Sequence, residues 1–256
     1  MLTARKALAL AGTLGIACAT SGTKSVAPTS VVLRDADRGR DVPIHLTLSK
    51  HPDKCTFTRR CPVAVISGGY GVPYTAYSFV ANALSELDYT VVSIQHDLPG
   101  DAPLARHGDL HTLRMPVWMR GADNILFVRS LLARRHQNLD FDHLTLVGHS
   151  NGGDLSLVFA QRQPDLVSSV VTLDHRRVPI PRSRAPRVLS LRSSDSPPIP
   201  GVVPNAEEQA AYGITVVQLS DARHNDMHDG GGQLLKDNIL RAMLEFLSLN
   251  RRKAGE

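Results

Sequence analysis

The chain has 256 residues, 42% hydrophobic and 21% charged, the balance of an ordinary globular protein without extensive disorder, and a length for one α/β domain or at most two small ones. Its formal charge is +5, but of the 29 basic residues Arg5 and Lys6 fall in a leader-like segment, leaving 27 against 24 acidic ones. With no concentrated basic helix and no interleaved aromatic motif, that balance argues against a nucleic-acid partner.

Arg5 and Lys6, the short apolar run Ala7 to Ala17 and the triplet Ala17-Cys18-Ala19 read as a signal peptide over residues 1–19. The run is too short for a membrane span. Cys18 admits a rival reading as a lipid-anchored cysteine, ranked second because Gly15 stands where the bacterial lipoprotein pattern usually has Leu. The expected location is therefore periplasmic or secreted, with a lipid-anchored envelope protein as the alternative. Residues 20–29, rich in Ser, Thr and Pro, read as a linker, 30–250 as a single folded domain and 251–256 as a polar tail. Cys55 and Cys61 are then the remaining cysteines, and an even pair in an exported protein predicts a disulfide.

Val31 to Arg34 and Val42 to Leu48 predict a β-hairpin across the polar turn Asp35 to Asp41. Val63 to Ile66 is a continuous apolar run, as a strand buried on both faces of a parallel sheet requires. A turn at Ser67-Gly68-Gly69-Tyr70-Gly71 leads to a helix over Tyr74 to Leu87, and Thr90 to Ile94 is a second buried strand. Gln95 to Arg114 reads as a polar loop, Pro116 to Arg135 as a helix with Trp118, Ile125, Leu126, Val128 and Leu132 on its apolar stripe. His143 to Val147 predicts a strand, Asp154 to Gln163 a helix, and Val167 to Leu173 and Arg187 to Leu191 two further strands. Glu207 to Tyr212 is a short helix, Thr215 to Leu219 the last strand and Gln233 to Leu249 the closing helix. Strands alternating with helices imply right-handed crossovers and a mostly parallel sheet covered on both faces.

Gly148-His149-Ser150-Asn151-Gly152 is a G-x-S-x-G pattern between the strand ending at Val147 and the helix that follows. A nucleophilic serine on a sharp strand-to-helix turn leaves no room for side chains two residues to either side. The hydroxyl needs a histidine base that a carboxylate orients, both from loops at the carboxyl ends of strands. His224, directly after the last strand, meets that condition, with His228 its chief rival. Asp195 and Asp174 both follow strands. Asp195 is preferred, because the rim after the later strand lies closer to the histidine loop, and Asp174 beside Arg176 and Arg177 reads as a loop anchored by ion pairs. His107, Asp109 and His111 lack the ligand spacings of a metal site and read as a polar loop; neither metal nor cofactor is expected.

This set, in the order Ser, Asp, His, resembles the α/β-hydrolase superfamily from about Val31 to Leu249. The two opening strands followed by Pro62 to Gly71 are similar to dienelactone-hydrolase and acetylhydrolase-like esterases. The resemblance implies an α/β-hydrolase fold, a triad of Ser150, Asp195 (or Asp174) and His224, and an oxyanion hole from the backbone N–H groups of Tyr70 and Asn151. Those relatives usually carry His-Gly where this chain has Gly68-Gly69, which leaves the backbone donor in place but loosens the loop. The connection from Asp174 to Pro186 is too short to hold a cap domain, so the site is expected to be open and suited to soluble esters. It carries Arg176, Arg177, Arg182, Arg184 and Arg187, read foremost as a solvated loop paired with acids and alternatively as an anion-attracting rim for acidic substrates. The expected activity is hydrolysis of small-molecule carboxylic esters through an acyl-enzyme. Amide or peptide hydrolysis and acyl transfer are alternatives on the same triad, as is a non-catalytic exported binding protein on the same scaffold.

Overall fold

The computed structural model describes residues 29–253. The signal peptide expected over residues 1–19, the lipid-anchor candidate Cys18, residues 20–28 of the expected linker and residues 254–256 of the expected tail lie outside the described residues.

Strands β1 (Thr29–Asp35) and β2 (Arg40–Thr47) form the expected antiparallel hairpin. β2 pairs antiparallel with β4 (Thr90–Ile94), and from there every pairing is parallel. The series runs through β3 (Cys61–Ser67), β5 (Leu139–His149), β6 (Val167–Leu173), β7 (Arg187–Arg192) and β8 (Thr215–Gln218). The eight strands lie in the order β1-β2-β4-β3-β5-β6-β7-β8. This is the mostly parallel sheet that the strand-helix alternation implies.

The period of two along each strand divides the core into two layers. Val63, Val65, Leu144, Leu146 and Val170 face α2 (Leu110–Arg135) and α3 (Asn151–Arg162). Ala64, Ile66, Val147, Val171 and Leu189 face the opposite way, onto α1 (Ser78–Glu86) and α5 (Gln233–Lys253). Each fully buried Val, Leu or Ile side chain here contributes about 1.5–3 kcal/mol of transfer free energy, so the central strands, apolar on both faces, carry most of the core. A short helix, α4 (Ala206–Tyr212), is closed by a capping box in which Asn205 and Glu208 satisfy each other's backbone N–H.

Helix boundaries move, two of them for identifiable reasons, and α3 starts at Asn151 rather than Asp154. α2 begins at Leu110, inside the stretch read as a loop, because Asp109 accepts the N–H groups of His111 and Thr112 and caps the helix. α1 begins at Ser78 rather than Tyr74, since the Asp229 carboxylate accepts the N–H groups of Ser78 and Phe79. α5 continues to Lys253, through residues assigned to the tail. Cys55 and Cys61 are bridged, as expected. The segment between β6 and β7 holds no helix, so no cap is inserted there. Among the described residues no helix is long and apolar enough to cross a membrane.

The contact of α2 with α3 depends on Gly121, where a Cβ would lie 2.8 Å from Cδ2 and 3.3 Å from Cβ of the buried Leu155. Gly121→Val adds a branched side chain to that closed seam. Urea denaturation of the variant should show a loss of about 1–3 kcal/mol, with undiminished stability arguing against close packing at this point.

Candidate active site

β5 ends at His149 and α3 begins at Asn151, so Ser150 makes the whole turn between them. It does so at φ 52° and ψ −118°, on the left-handed side of backbone space that L-residues rarely occupy. Its N–H donates to the carbonyl of Leu173 at 2.9 Å, which ties the turn to the end of β6. A Cβ at Gly148 would lie 2.4 Å from the oxygen of Gly152, and one at Gly152 would lie 2.0 Å from the oxygen of Ser67. Both glycines of the pattern are thus required by backbone crowding.

Ser150 Oγ lies 2.9 Å from Nε2 of His224, and Nδ1 of that ring lies 2.6 Å from Oδ2 of Asp174. An ionised carboxylate only accepts, so Nδ1 carries the hydrogen and Nε2 accepts the serine proton. Asp174 is wholly buried. Its Oδ1 accepts the N–H of Ser193 at 3.0 Å and its Oδ2 the Ser193 hydroxyl at 2.7 Å. The buried Arg192 places Nη2 3.0 Å from Oδ1. Burial alone would raise the carboxyl's pKa, but the bond from His224, the Arg192 charge and the Ser193 donors together outweigh it and hold it below the ordinary value.

The preference for Asp195 as the carboxylate against the histidine is therefore corrected. Asp195 is exposed, three residues past the end of β7, and its Oδ1 accepts the backbone N–H of His224 at 2.7 Å. That bond, before any other cause, lowers its pKa. Asp195 holds the histidine loop, whereas Asp174, at the first position after β6, reaches the ring. The ion pairs expected between Asp174 and Arg176 or Arg177 are replaced by the one to Arg192. His228, the rival histidine, accepts the N–H of Gly230 and stays outside this line.

Sequence reasoning missed a second line of hydrogen bonds under the site. The Gly69 N–H donates to Tyr77 Oη at 2.8 Å, Tyr77 Oη lies 2.8 Å from Nδ1 of His149, and Nε2 of His149 lies 2.9 Å from the carbonyl of His224. A carbonyl only accepts, so His149 donates through Nε2 and accepts the Tyr77 hydroxyl proton at Nδ1. Burial, then the neighbouring His224, pushes the His149 pKa down to about 3, which keeps that tautomer neutral. The one available signal was the placement of a histidine inside the serine pattern.

Gly69 spends its N–H on Tyr77, whereas the N–H of Tyr70 donates to no acceptor among the described residues. Tyr70 Oη accepts the N–H of Leu104 at 3.2 Å, which ties this turn to the loop leading into α2. Asn151 is the first residue of α3, where the N–H has no acceptor within the helix and the helix dipole is positive. Its side-chain Oδ1 accepts the indole N–H of Trp118 at 2.8 Å. Of the arginines read as paired with acids, Arg182 pairs with Glu208, and Arg187 lies 4.5 Å over the ring of Phe246. No group of three or more His, Cys, Asp or Glu among the described residues is placed to hold a metal ion.

The sequence profile of a family described as the alpha/beta hydrolase fold matches residues 62–190, half of the chain. No curated protein matches the sequence. Solved structures of similar fold include esterase 2 of the planctomycete Thermogutta terrifontis with bound propionate, at 11% identity and TM-score 0.64, covering 88% of this chain and 95% of that one. A protein of Klebsiella pneumoniae classed as a dienelactone hydrolase is 15% identical with TM-score 0.58 over 87% of this chain and 99% of its own. A structure from a study of two fungal esterases of Rhizomucor miehei is 15% identical with TM-score 0.57, covering 90% and 84%.

His96, His149 and His175 are each pushed down to about 3, in every case by burial first. In the unfolded chain they titrate near 6.5. Folded values below unfolded ones mean that their contribution is complete above about pH 6.5 and is lost as pH falls toward 3. Urea unfolding measured between pH 7 and pH 4 should show stability falling across this window, with proton uptake on unfolding approaching one for each of the three histidines. A flat profile would contradict their burial as neutral rings.

Proposed function

The chain belongs to the alpha/beta hydrolase family, and from that premise we propose that it is a serine hydrolase that cleaves carboxylic esters through an acyl-enzyme on Ser150. The observation that carries this reading is the aligned series from Ser150 Oγ through the His224 ring to the buried Asp174, at 2.9 and 2.6 Å. A scaffold that only binds has no need of that alignment.

In the proposed reaction neutral His224 accepts the Ser150 proton at Nε2 as Oγ attacks the ester carbonyl. Asp174 keeps the proton on Nδ1 and stabilises the imidazolium that forms. The N–H groups of Tyr70 and Asn151 receive the negative charge of the tetrahedral intermediate, each such donor being worth about 3 kcal/mol in comparable sites. His224 then protonates the departing alcohol, and in the second half it takes a proton from water, whose oxygen attacks the acyl carbon and releases the acid. The absence of an inserted helix between β6 and β7 supports short, soluble substrates, as does the fold shared with an esterase that binds propionate. The Cys55–Cys61 bridge supports export to an oxidising compartment.

Ser150→Ala should remove nearly all turnover of 4-nitrophenyl butyrate and all labelling by a fluorophosphonate probe. Persistence of wild-type turnover in that variant would refute the mechanism. Asp174→Asn should lower kcat by about 10³–10⁴-fold, the scale seen when the orienting carboxylate of such a triad is neutralised. Asp195→Asn, which keeps an oxygen to accept the His224 N–H and removes only the charge, should cost less than about tenfold, and the opposite ranking would return the acid role to Asp195.

A further inference from the structure

Arg106, Arg114, Arg176 and Arg177 gather beside the start of α3. The N–H of Arg177 donates to Oδ1 of Asp154 at 2.9 Å, and the N–H of Asp154 donates to the carbonyl of Ser150. The backbone of Arg177 is therefore tied, through Asp154, to the first turn of the helix that starts beside the serine. Arg176 precedes it and bonds Ser196 Oγ at 3.1 Å. Arg114 arrives from α2, one turn before Trp118, whose indole bonds the side chain of Asn151. Arg114 is only 8% exposed; its Nε donates to the carbonyl of Ala105, and its terminal nitrogens donate to nothing among the described residues.

The charge of this cluster is not balanced from within. Several other half-buried or buried arginines have carboxylate partners: Arg40 has Asp101, Arg120 has Asp97, Arg182 has Glu208 and Arg192 has Asp174. No carboxylate is within ion-pair reach of Arg106, Arg114, Arg176 or Arg177 among the described residues. The carboxyl set against them is Asp154. It is buried, it spends Oδ1 on two backbone N–H groups, and burial first of all raises its pKa, away from the ionised form. Burial and then the charges of Arg177, Arg176 and Arg106, opposed by Asp154, push Arg114 down to about 10, so it remains a cation at neutral pH. Nε of Arg176 and Nε of Arg177 are buried without an acceptor. Like charges gathered in a partly dewatered site are unfavourable unless an opposite charge joins them.

We propose that Arg114, Arg176 and Arg177, with the exposed Arg106 at the outer edge, form a subsite for an oxyanion of the substrate, a carboxylate or phosphate carried by the ester that Ser150 attacks. The inference rests on the ester-hydrolase reading and gives it a substrate class, acidic esters. Planar guanidinium forks suit either anion through paired N–H donors. The anion is held and released unchanged, and the rim also draws acidic substrates from solution.

The test compares 4-nitrophenyl hydrogen glutarate with 4-nitrophenyl methyl glutarate, two substrates that differ in one negative charge. The wild-type protein should prefer the anionic ester in kcat/KM by about tenfold or more, equivalent to about 1.4 kcal/mol. Arg114→Gln and Arg177→Gln should each lower that ratio about tenfold, and the exposed Arg106→Gln should lower it less, without risk to folding. Competition by glutarate and by inorganic phosphate tells which anion the subsite prefers. A wild-type ratio of one or below, or a ratio unchanged in all three variants, overturns the subsite. Turnover of the neutral ester with fluorophosphonate labelling of Ser150, but no anionic preference, sinks this inference alone. Absence of labelling and of any turnover sinks the hydrolase reading; calorimetric titration with glutarate and with phosphate then decides the subsite, supported by saturable binding that Arg114→Gln abolishes and overturned by none.

Discussion

The carboxylate of Asp174 is the constraint on which the rim of this fold depends. It has no exposure to water, so its ionised form survives only with a full set of partners. Those partners come from two places in the chain: the ring of His224, and the end of β7, which gives the hydroxyl and N–H of Ser193 and the guanidinium of Arg192. Each partner thereby receives a fixed position. β7 must end where Arg192 and Ser193 can face β6, and the loop after β8 must carry His224 back across the end of β7. Ionisation of one buried group and the mutual placement of three loops are the same physical fact.

The serine turn answers to a different constraint, crowding. β5 ends against β3, and the first residues of α3 pass so near the carbonyls of Ser67 and Gly68 that a Cβ at Gly152 has no space. The turn can be this tight because Ser150 accepts an unfavourable backbone conformation while its N–H is retained by Leu173. Beneath it, Tyr77 and His149 connect the turn at Gly69 to the carbonyl of His224. The turn at Gly69 and the histidine loop are thus coupled through two buried side chains.

Much of this was legible in the sequence. Apolar runs such as Val63 to Ile66 marked strands buried on both faces, and the serine pattern at the end of one marked the turn. Asp195 misled because the nearness of a strand's rim to the histidine loop is a fair guide to loop contacts but a poor one to buried rings. The Asp174 carboxylate reaches His224 across a strand, and its counterion, Arg192, lies at the end of β7 rather than in its own loop. The helix ends were displaced by caps from side chains near and far, Asp109 for α2 and Asp229 for α1, the latter some 150 residues away in the chain. Periodicity shows where a helix buries its face and is silent about where its first N–H groups find acceptors.

The five-residue serine pattern writes position 149 as though any residue would serve. Here that position is a connector with polarity: it must give a hydrogen at one end and take one at the other, within a space fixed by Tyr77 and by the His224 carbonyl. A purely apolar side chain of the same volume would strand two polar groups, and a lysine would offer donors where an acceptor is needed. Transplanting the serine turn into another scaffold would therefore mean moving at least Tyr77 and the residue at 149 with it, since the pattern's second letter is read from below the sheet's rim.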